Sequence, residues 1–426
     1  MIVKQLKGTD VDIFFEKLDN GLKIYLAPFK NRKNYYIDYN VKYGSNVYEF
    51  ISSHTNKKTK KPYGVAHFLE HKMFEQEDGM DPFSFFSQTG SDANASTSYD
   101  ITSYIVDGVK NIEENLEFLL NYVNSPYFTD ENVEKEKGII IEELNMYKDQ
   151  PENKLYDESN KALFIKHPIR IDIGGTPSSV NKITKEILYD CYDTFYEPNN
   201  IFITIAGNFD PEKVINIIKN NKKVNSKKGD KEIKVIKTIE PIEVKEREKE
   251  IKIKNIVIPK FVLNFKSPMK ELTGEEKFKY DTVLDILLYI LFGNSSEFRE
   301  EMYRKELCTL LYGSGTIVDN VFVVEILAES KKPYELKEKV INCLKNKKIT
   351  AEDVERIKKV KISLEVMDSD KPSKISYSMI RDITDFNEII YNKIDIIKSI
   401  TLEDVINVRK DIMLDNYSFV LGMPKK

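Results

Sequence analysis

Cysteine and long apolar runs are both scarce in this chain of 426 residues. The three cysteines, Cys191, Cys308 and Cys343, lie far apart, which excludes a disulfide framework and a Cys-x-x-Cys metal site and indicates a reducing compartment. No stretch of about eighteen uncharged apolar residues occurs, and the N-terminus lacks the apolar run of a signal peptide. We therefore expect a soluble, cytoplasmic protein with no membrane partner.

An excess of either charge is also missing. The chain has 65 Lys and Arg residues against 69 Asp and Glu residues, which gives a formal net charge of -4. Because no global basic field results, nucleic acid is not expected as a partner. The chain is 41% hydrophobic and longer than one hydrophobic core usually serves, so we expect at least two domains.

Only four histidines are present, and two of them fall within one pattern, His67-x-x-Glu70-His71. On a helix, residues four apart lie on the same face, so His67 and His71 can present two imidazole nitrogens to one metal ion. Glu70 borders that face and is a candidate general base. The alternative is an amphipathic helix whose histidines hydrogen-bond within an ordinary core. Of the others, His54 is expected to be a solvated loop residue and His167, before a proline, a turn residue.

Further along the chain, a second amphipathic helix is predicted over residues 130–148, despite the interior Gly138. Glu136 and Glu143 are two turns apart and therefore share one face of this helix. One of these carboxylates can complete a metal site while the other supports it. Between the two helices, residues 91–106 are rich in Ser, Thr and β-branched side chains and are expected to be extended. Such a strand can bind a peptide by edge addition, or it can be an ordinary sheet strand.

The second half of the chain repeats the order of the first. Residues 400–422 match residues 183–207, each with a helix start followed by an apolar strand that ends near glycine. An apolar helix predicted over residues 278–292 takes the place of the metal helix but has no histidine. Only the first half can therefore carry the metal.

Two related α/β domains follow from this repeat. We predict an N-terminal domain over residues 1–220, a charged linker over 221–250 and a C-terminal domain over 251–426. Each is expected to contain a mixed or antiparallel sheet covered by helices, so the fold class is α+β.

The order of the motifs resembles the pitrilysin/insulinase family of zinc peptidases, or inverzincins, in the bacterial branch related to subunits of the mitochondrial processing peptidase. The motifs that carry the resemblance are His67–Glu75, Asn94-Ala95, Glu134–Glu143, His167-Pro168, Gly175-Thr176 and Thr194–Asn200 followed by a strand to Gly207. The resemblance implies a processing-peptidase-like fold in which two domains form a clam-shell, or half of one.

The same resemblance implies a zinc site in which His67, His71 and Glu143 are the ligands and Glu136 is a supporting catalytic carboxylate. Glu142 is the alternative ligand if the register shifts by one, although it would point about 100° away around the helix. Two imidazoles and one carboxylate leave a fourth tetrahedral position for water, which is typical of catalytic zinc sites.

The chemistry expected at such a site is peptide hydrolysis. Zinc would lower the pKa of water towards about 7 and polarise the scissile carbonyl, while Glu70 would take the proton and return it to the leaving amine. The family resemblance also implies that Asn94 and Ala95 begin the edge strand that holds the substrate backbone. We therefore interpret the chain as a zinc-dependent endopeptidase for peptides or unfolded protein segments.

One motif departs from the family pattern. Active members usually supply an Arg and a Tyr from the second domain to grip the substrate, and here the spacing from Arg304 to Tyr312 is one residue too long. We expect a partner chain to supply the pair, either in a homodimer or in a heterodimer with a metal-free, inactive paralogue. The alternatives for the chain itself are a non-catalytic scaffold subunit of a processing complex and hydrolysis of a non-peptide amide.

Overall fold

The computed structural model describes residues 1–425 and contains two large β-sheets and one small one. In chain order the strands are β1 (Ile2–Gln5), β2 (Asp12–Lys17), β3 (Lys23–Pro28), β4 (Tyr35–Val41), β5 (Glu49–Ile51), β6 (Lys58–Lys60), β7 (Ser91–Thr97), β8 (Thr102–Gly108), β9 (Ile201–Gly207), β10 (Glu248–Ile253), β11 (Lys260–Pro268), β12 (Leu310–Val318), β13 (Val321–Glu329) and β14 (Tyr417–Pro424).

Helices cover both large sheets. They are α1 (Val65–Lys72), α2 (Pro82–Gln88), α3 (Ile112–Val123), α4 (Asp130–Lys148), α5 (Pro151–Leu163), α6 (Pro177–Val180), α7 (Lys185–Phe195), α8 (Pro211–Asn220), α9 (Gly274–Phe292), α10 (Glu297–Arg304), α11 (Pro333–Asn346), α12 (Ala351–Ser369), α13 (Pro372–Asp385), α14 (Lys393–Ser399) and α15 (Leu402–Asp411). Short 3₁₀ turns lie at Pro168–Arg170, Pro198–Asn200 and Val224–Ser226.

The first large sheet has the strand order β1-β2-β3-β9-β4-β8-β7. Strands β3 and β9 run parallel, whereas the other neighbours in this sheet are antiparallel. Every residue of β9 is buried, as expected for an apolar central strand covered on both faces. Helix α1 packs against β7, β8 and α7, so the predicted metal helix lies beside the edge of this sheet.

The second large sheet has the order β10-β14-β11-β13-β12, with β10 and β14 parallel. In the first sheet, the Thr-capped helix α7 precedes an apolar strand in parallel pairing, β9. The second sheet repeats this arrangement with α15 and β14. Thr184 and Thr401 both accept a backbone N–H at the start of their helices. The predicted repeat and the α+β class are therefore confirmed.

Two compact units make up the chain, and each contains segments from both halves of the sequence. The first consists of Met1–Leu144, Asp172–Lys237 and Val366–Asn392; the second contains Asn145–Ile171, Thr238–Glu365 and the segment from Lys393 onward. Helix α5 packs on β10, β11 and β14, and α13 packs on β3, β4 and β9.

This exchange of helices differs from the two continuous domains that the sequence predicts. An amphipathic pattern shows that a helix has a face to bury, but it does not show which sheet receives that face. The change of unit between Lys237 and Thr238 falls within the predicted linker, 221–250. Across residues 1–425, the structure contains no helix with the length and apolar character needed to cross a bilayer. The cytoplasmic location stays a prediction.

Candidate active site and metal centre

Helix α1 begins at a glycine with an unusual backbone conformation. Gly64, its N-cap residue, has a φ of 91°, in the left-handed region that favours glycine. A Cβ atom at Gly64 would lie 2.3 Å from the carbonyl oxygen of Gly174, and one at Gly174 would lie 3.3 Å from His67 Nδ1. These two glycines therefore allow the loop around Gly174 to pack directly against the start of α1 and against His67.

Three side chains converge beside α1. Glu143 Oε2 lies 3.8 Å from His67 Nε2 and 3.5 Å from His71 Nε2, and the three ligand atoms lie within 4.8 Å of one another. Among the described residues, the buried Glu143 Oε2 has no hydrogen-bond partner. A tetrahedral zinc ion with bonds of about 2.1 Å would hold its ligand atoms about 3.4 Å apart. The residues present therefore fit a zinc ion, which would satisfy a buried oxygen that is costly to leave unpaired.

Helix α4 presents Glu143, rather than Glu142, to the histidines. The Glu143 side chain is 25% exposed and belongs to the group of possible metal ligands, whereas Glu142 is exposed and lies outside that group. Successive helix residues point about 100° apart, so both carboxylates cannot face α1. The structure thus favours the first of the two registers that the sequence left open.

Glu136 contacts the other ring nitrogen of His71. Its Oε1 lies 3.0 Å from His71 Nδ1. Metal-binding histidines commonly donate their second N–H to a carboxylate, which fixes the tautomer and the ring orientation. Glu136 therefore leaves His71 Nε2 available on the side of Glu143, which is the supporting position that the sequence predicts for it.

A buried lysine follows His71 directly in the chain. The Lys72 side chain is 1% exposed, and its Nζ lies 3.9 Å from Glu136 Oε2. The same ammonium pairs with the Glu75 carboxylate and donates to the Asn132 carbonyl oxygen at 3.3 Å. Burial lowers the pKa of Lys72 to about 8, although the charge of Glu136 opposes this shift. Lys72 thus extends the His71–Glu136 contact into a network.

The two histidines of the pattern have different protonation preferences. Burial, with a smaller contribution from His71, lowers the pKa of His67 to about 4, so this imidazole favours the neutral form. Burial also disfavours charge on His71, but the hydrogen bond and the charge of Glu136 outweigh it and raise the His71 pKa. The same contact outweighs burial at Glu136 and lowers the pKa of that carboxyl.

Glu70, the candidate base, is 8% exposed. Its Oε2 accepts a 2.6 Å hydrogen bond from Thr97 Oγ1. Burial raises the pKa of Glu70, and the Thr97 hydrogen bond and the nearby His71 partly offset that rise. A carboxylate with a raised pKa is a better proton acceptor, as a general base requires.

Strand β7, which carries Thr97, forms an edge of the first sheet and pairs with β8. Ala93 is buried and Ala95 is partly buried, while Asn94 is exposed, as the alternation of a strand requires. An edge strand offers main-chain N–H and C=O groups to a pairing peptide. The structure therefore puts Asn94 and Ala95 on an edge strand beside α1, and their role in substrate binding stays a prediction.

Arg304 and Tyr312 belong to the second unit. Arg304 is the last residue of α10, and Tyr312 lies on β12, the edge strand of the second sheet. Both side chains are exposed, Tyr312 to 55%. Their predicted role as a substrate clamp is not tested by these positions and stays a prediction.

The other two histidines have local roles. His54 is exposed and its Nε2 lies 2.7 Å from a carboxylate oxygen of Asp193. His167 is buried, and its Nδ1 accepts a hydrogen bond from the Ile169 backbone N–H at the start of a 3₁₀ turn. The expected turn-shaping role of His167 is confirmed.

Lys72 and Thr97 are the two site neighbours that the sequence did not reveal. A lysine next to a candidate ligand is usually solvated, and nothing in the helical pattern indicates that Lys72 is buried. Thr97 had a weaker signal, because it lies an even number of residues after Ala93 and Ala95 and therefore shares their inward face. Its contact with Glu70 could not be predicted without the position of β7 relative to α1.

Known protein families match this chain over most of its length. A domain described as Insulinase (Peptidase family M16) matches residues 50–176, and one described as Peptidase M16 inactive domain matches residues 182–361. YmfH of Bacillus subtilis, described as an uncharacterized zinc protease, is 36% identical over 428 residues, covering 99% of this chain and 98% of YmfH. The chain belongs to the M16 peptidase family. The resemblance found in the sequence is thereby confirmed.

Solved structures agree with this assignment. An M16-like peptidase from Alicyclobacillus acidocaldarius superposes with a TM-score of 0.92 at 30% identity, covering 99% of this M16 chain and 100% of the other. A protease from Helicobacter pylori superposes with a TM-score of 0.83 at 20% identity, covering 97% and 99% of the two chains. The second likeness shows the shared fold alone.

Proposed function

We propose that this M16-family chain is a zinc-dependent endopeptidase. The observation that carries the proposal is the convergence of His67, His71 and the unpartnered oxygen of Glu143, with the Glu70 carboxylate on the same helix. When bound, zinc would supply Lewis-acid chemistry, polarising a carbonyl and making water more acidic. An open set of three protein ligands is typical of catalytic rather than structural zinc.

The protein side chains would divide the remaining work. Glu70 would accept the proton of the attacking water and pass it to the leaving amine. Glu136 would hold the imidazole of His71 through its 3.0 Å contact with Nδ1. No residue of this set needs to form a covalent bond with the substrate, because water is the nucleophile.

The substrate is proposed to be an extended peptide or an unfolded segment. The β7 edge beside α1 supports this class, because main-chain pairing along an edge strand requires an extended partner. Asn94 and Ala95 would hold the substrate backbone there. A folded helix or sheet has its main-chain groups already paired and would not bind in this way.

The quaternary proposal rests on Arg304 and Tyr312. Their spacing departs from the family pattern, and the matching region lies in the part described as an inactive domain. We infer that a second chain, either another copy or a metal-free paralogue, completes the substrate grip. A scaffold subunit remains the competing hypothesis, and it predicts neither cleavage nor a requirement for zinc.

The test is cleavage of a quenched fluorescent peptide library by the zinc-loaded chain, alone and mixed with a metal-free paralogue. The proposal predicts cleavage that stops with a chelator and returns with zinc. Glu70→Gln should lower kcat at least about hundredfold, whereas Glu142→Gln, an exposed carboxylate on α4, should cleave like the wild type. Equal cleavage by Glu70→Gln and the wild type would reject Glu70 as the base. If the chain is inactive both alone and mixed with the paralogue, the scaffold hypothesis would be favoured.

A further inference from the structure

Thr97 holds the candidate base through a hydrogen bond whose direction is determined. Thr97 Oγ1 lies 2.6 Å from Glu70 Oε2 and donates to it. The Thr102 hydroxyl is 3.4 Å from that of Thr97, but it donates its own proton to the Tyr43 carbonyl oxygen at 2.8 Å. An ionised carboxylate has no proton to donate and a hydroxyl has one, so the 2.6 Å contact uses the Thr97 proton.

The position of Thr97 in the sheet makes this contact more than local support. Thr97 is the last residue of β7, the edge strand, and shares the inward face of Ala93 and Ala95. Asn94 and Ser96 face the other way and are exposed. A peptide that paired along β7 would therefore order the same backbone segment that carries the donor to Glu70.

We propose that Thr97 is a positioning residue that couples the pairing of an extended peptide along β7 to the orientation of Glu70. The inference rests on the proposed peptidase function and adds to it a preference for peptides long enough to pair along β7. Because Oε2 is held by Thr97, the other oxygen, Oε1, points in a fixed direction to accept a proton. Orientation of this kind accelerates the chemical step rather than substrate binding.

Two variants of Thr97 separate the donor from the shape of the side chain. Thr97→Val keeps the shape and removes the donor, so kcat should fall about tenfold or more while KM stays near the wild-type value. Thr97→Ser keeps the donor and should restore most of kcat. The wild-type advantage in kcat of a strand-length peptide over a tripeptide should shrink in Thr97→Val. A rise in KM at constant kcat, or a serine variant as slow as the valine variant, would overturn the proposal.

A second measurement needs no peptidase activity. Amide hydrogen exchange over residues 91–97 would be compared in the wild type, Thr97→Val, Glu70→Ala and the double variant. Each single change should speed exchange about tenfold. The double variant should exchange no faster than either single variant, because both single changes remove the same charge-assisted hydrogen bond between Thr97 and Glu70. Additive effects would reject the link between β7 and Glu70. A coupled cycle in a chain that cleaves no peptide would support the link and count against the proposed function alone.

Discussion

Glu143 and Glu142 are adjacent carboxylates on α4 with opposite surroundings. Glu143 Oε2 lies 3.5 and 3.8 Å from the histidine nitrogens, so Glu143→Gln should lower zinc affinity by at least about hundredfold, beyond the usual effect of losing a supporting group. Glu142→Gln should leave the affinity unchanged, because this side chain is exposed. Competition with a chromogenic zinc chelator measures both. A larger loss in Glu142→Gln would mean that the helix register is shifted by one.

Glu136 is expected to control both the charge and the metal affinity of His71. Since its hydrogen bond and charge outweigh burial in raising the His71 pKa, Glu136→Gln should lower that pKa in the zinc-free chain. It should also weaken zinc binding about tenfold to hundredfold. With only four histidines in the chain, an NMR titration can follow His71 directly. Glu134→Gln, on the same helix but paired with Lys137, is the control and should change neither quantity.

The placement of the candidate ligands was largely predictable at the residue scale because these residues obey helix periodicity. His67 and His71 are one turn apart and Glu136 and Glu143 two turns apart, so each pair was expected on one face. Lys72 and Thr97 were not predictable, because their partners Glu136 and Glu70 lie on other elements. Contacts of that kind depend on how elements pack, which no local spacing reports.

At the scale of elements, the boundaries of α4 were predicted correctly, whereas the packing of α13 could not be predicted. The 130–148 helix has the expected ends, set by a polar start and a following Pro151. Helix α13 lies late in the chain yet packs on β3, β4 and β9 of the first sheet. Its amphipathic pattern is satisfied by either sheet, so the sequence could not assign it.

The contact between α13 and β4 contains a buried carboxyl, Asp38, whose contribution to the free energy of unfolding depends on pH. Asp38 on β4 accepts from Ser376 on α13 and from Thr204 on β9, the latter at 3.4 Å. Burial raises the pKa of Asp38 to about 7, although the two hydroxyls oppose the shift. Because the folded-state pKa lies above the unfolded value, the protonated carboxyl favours the folded state. This contribution to stability is complete below the unfolded pKa and is lost as the pH rises through about 7.

Asp38→Asn should remove this dependence. The free energy of unfolding of the wild type relative to Asp38→Asn should therefore fall between about pH 4 and pH 7, by on the order of 4 kcal/mol at most. Urea denaturation across that range, followed by circular dichroism, measures the difference. Asp12→Asn, which removes an exposed carboxyl at the start of β2, is the matched control. A constant difference for Asp38→Asn would show that the Asp38 carboxyl does not titrate in this window.

At the scale of the whole molecule, both units contain the repeated fold, whereas the candidate metal ligands lie in the first unit. His67, His71 and Glu143 all come from the Met1–Leu144 segment of the first unit. Over residues 1–425, no other cluster of His, Cys, Asp and Glu side chains has metal-ligand spacing. The second unit therefore repeats the sheet and helices without this group of candidate ligands, as the sequence predicts from the absence of histidine in residues 278–292.

Zinc content is the measurement that tests the central claim most directly. Wild-type chain dialysed against metal-free buffer and analysed by plasma mass spectrometry should contain one zinc ion per chain. Glu70→Gln should contain the same amount, because Glu70 is not among the proposed ligands, and His71→Ala should contain almost none while keeping its circular dichroism spectrum. Wild-type protein without zinc, or undiminished zinc in His71→Ala, would contradict the account.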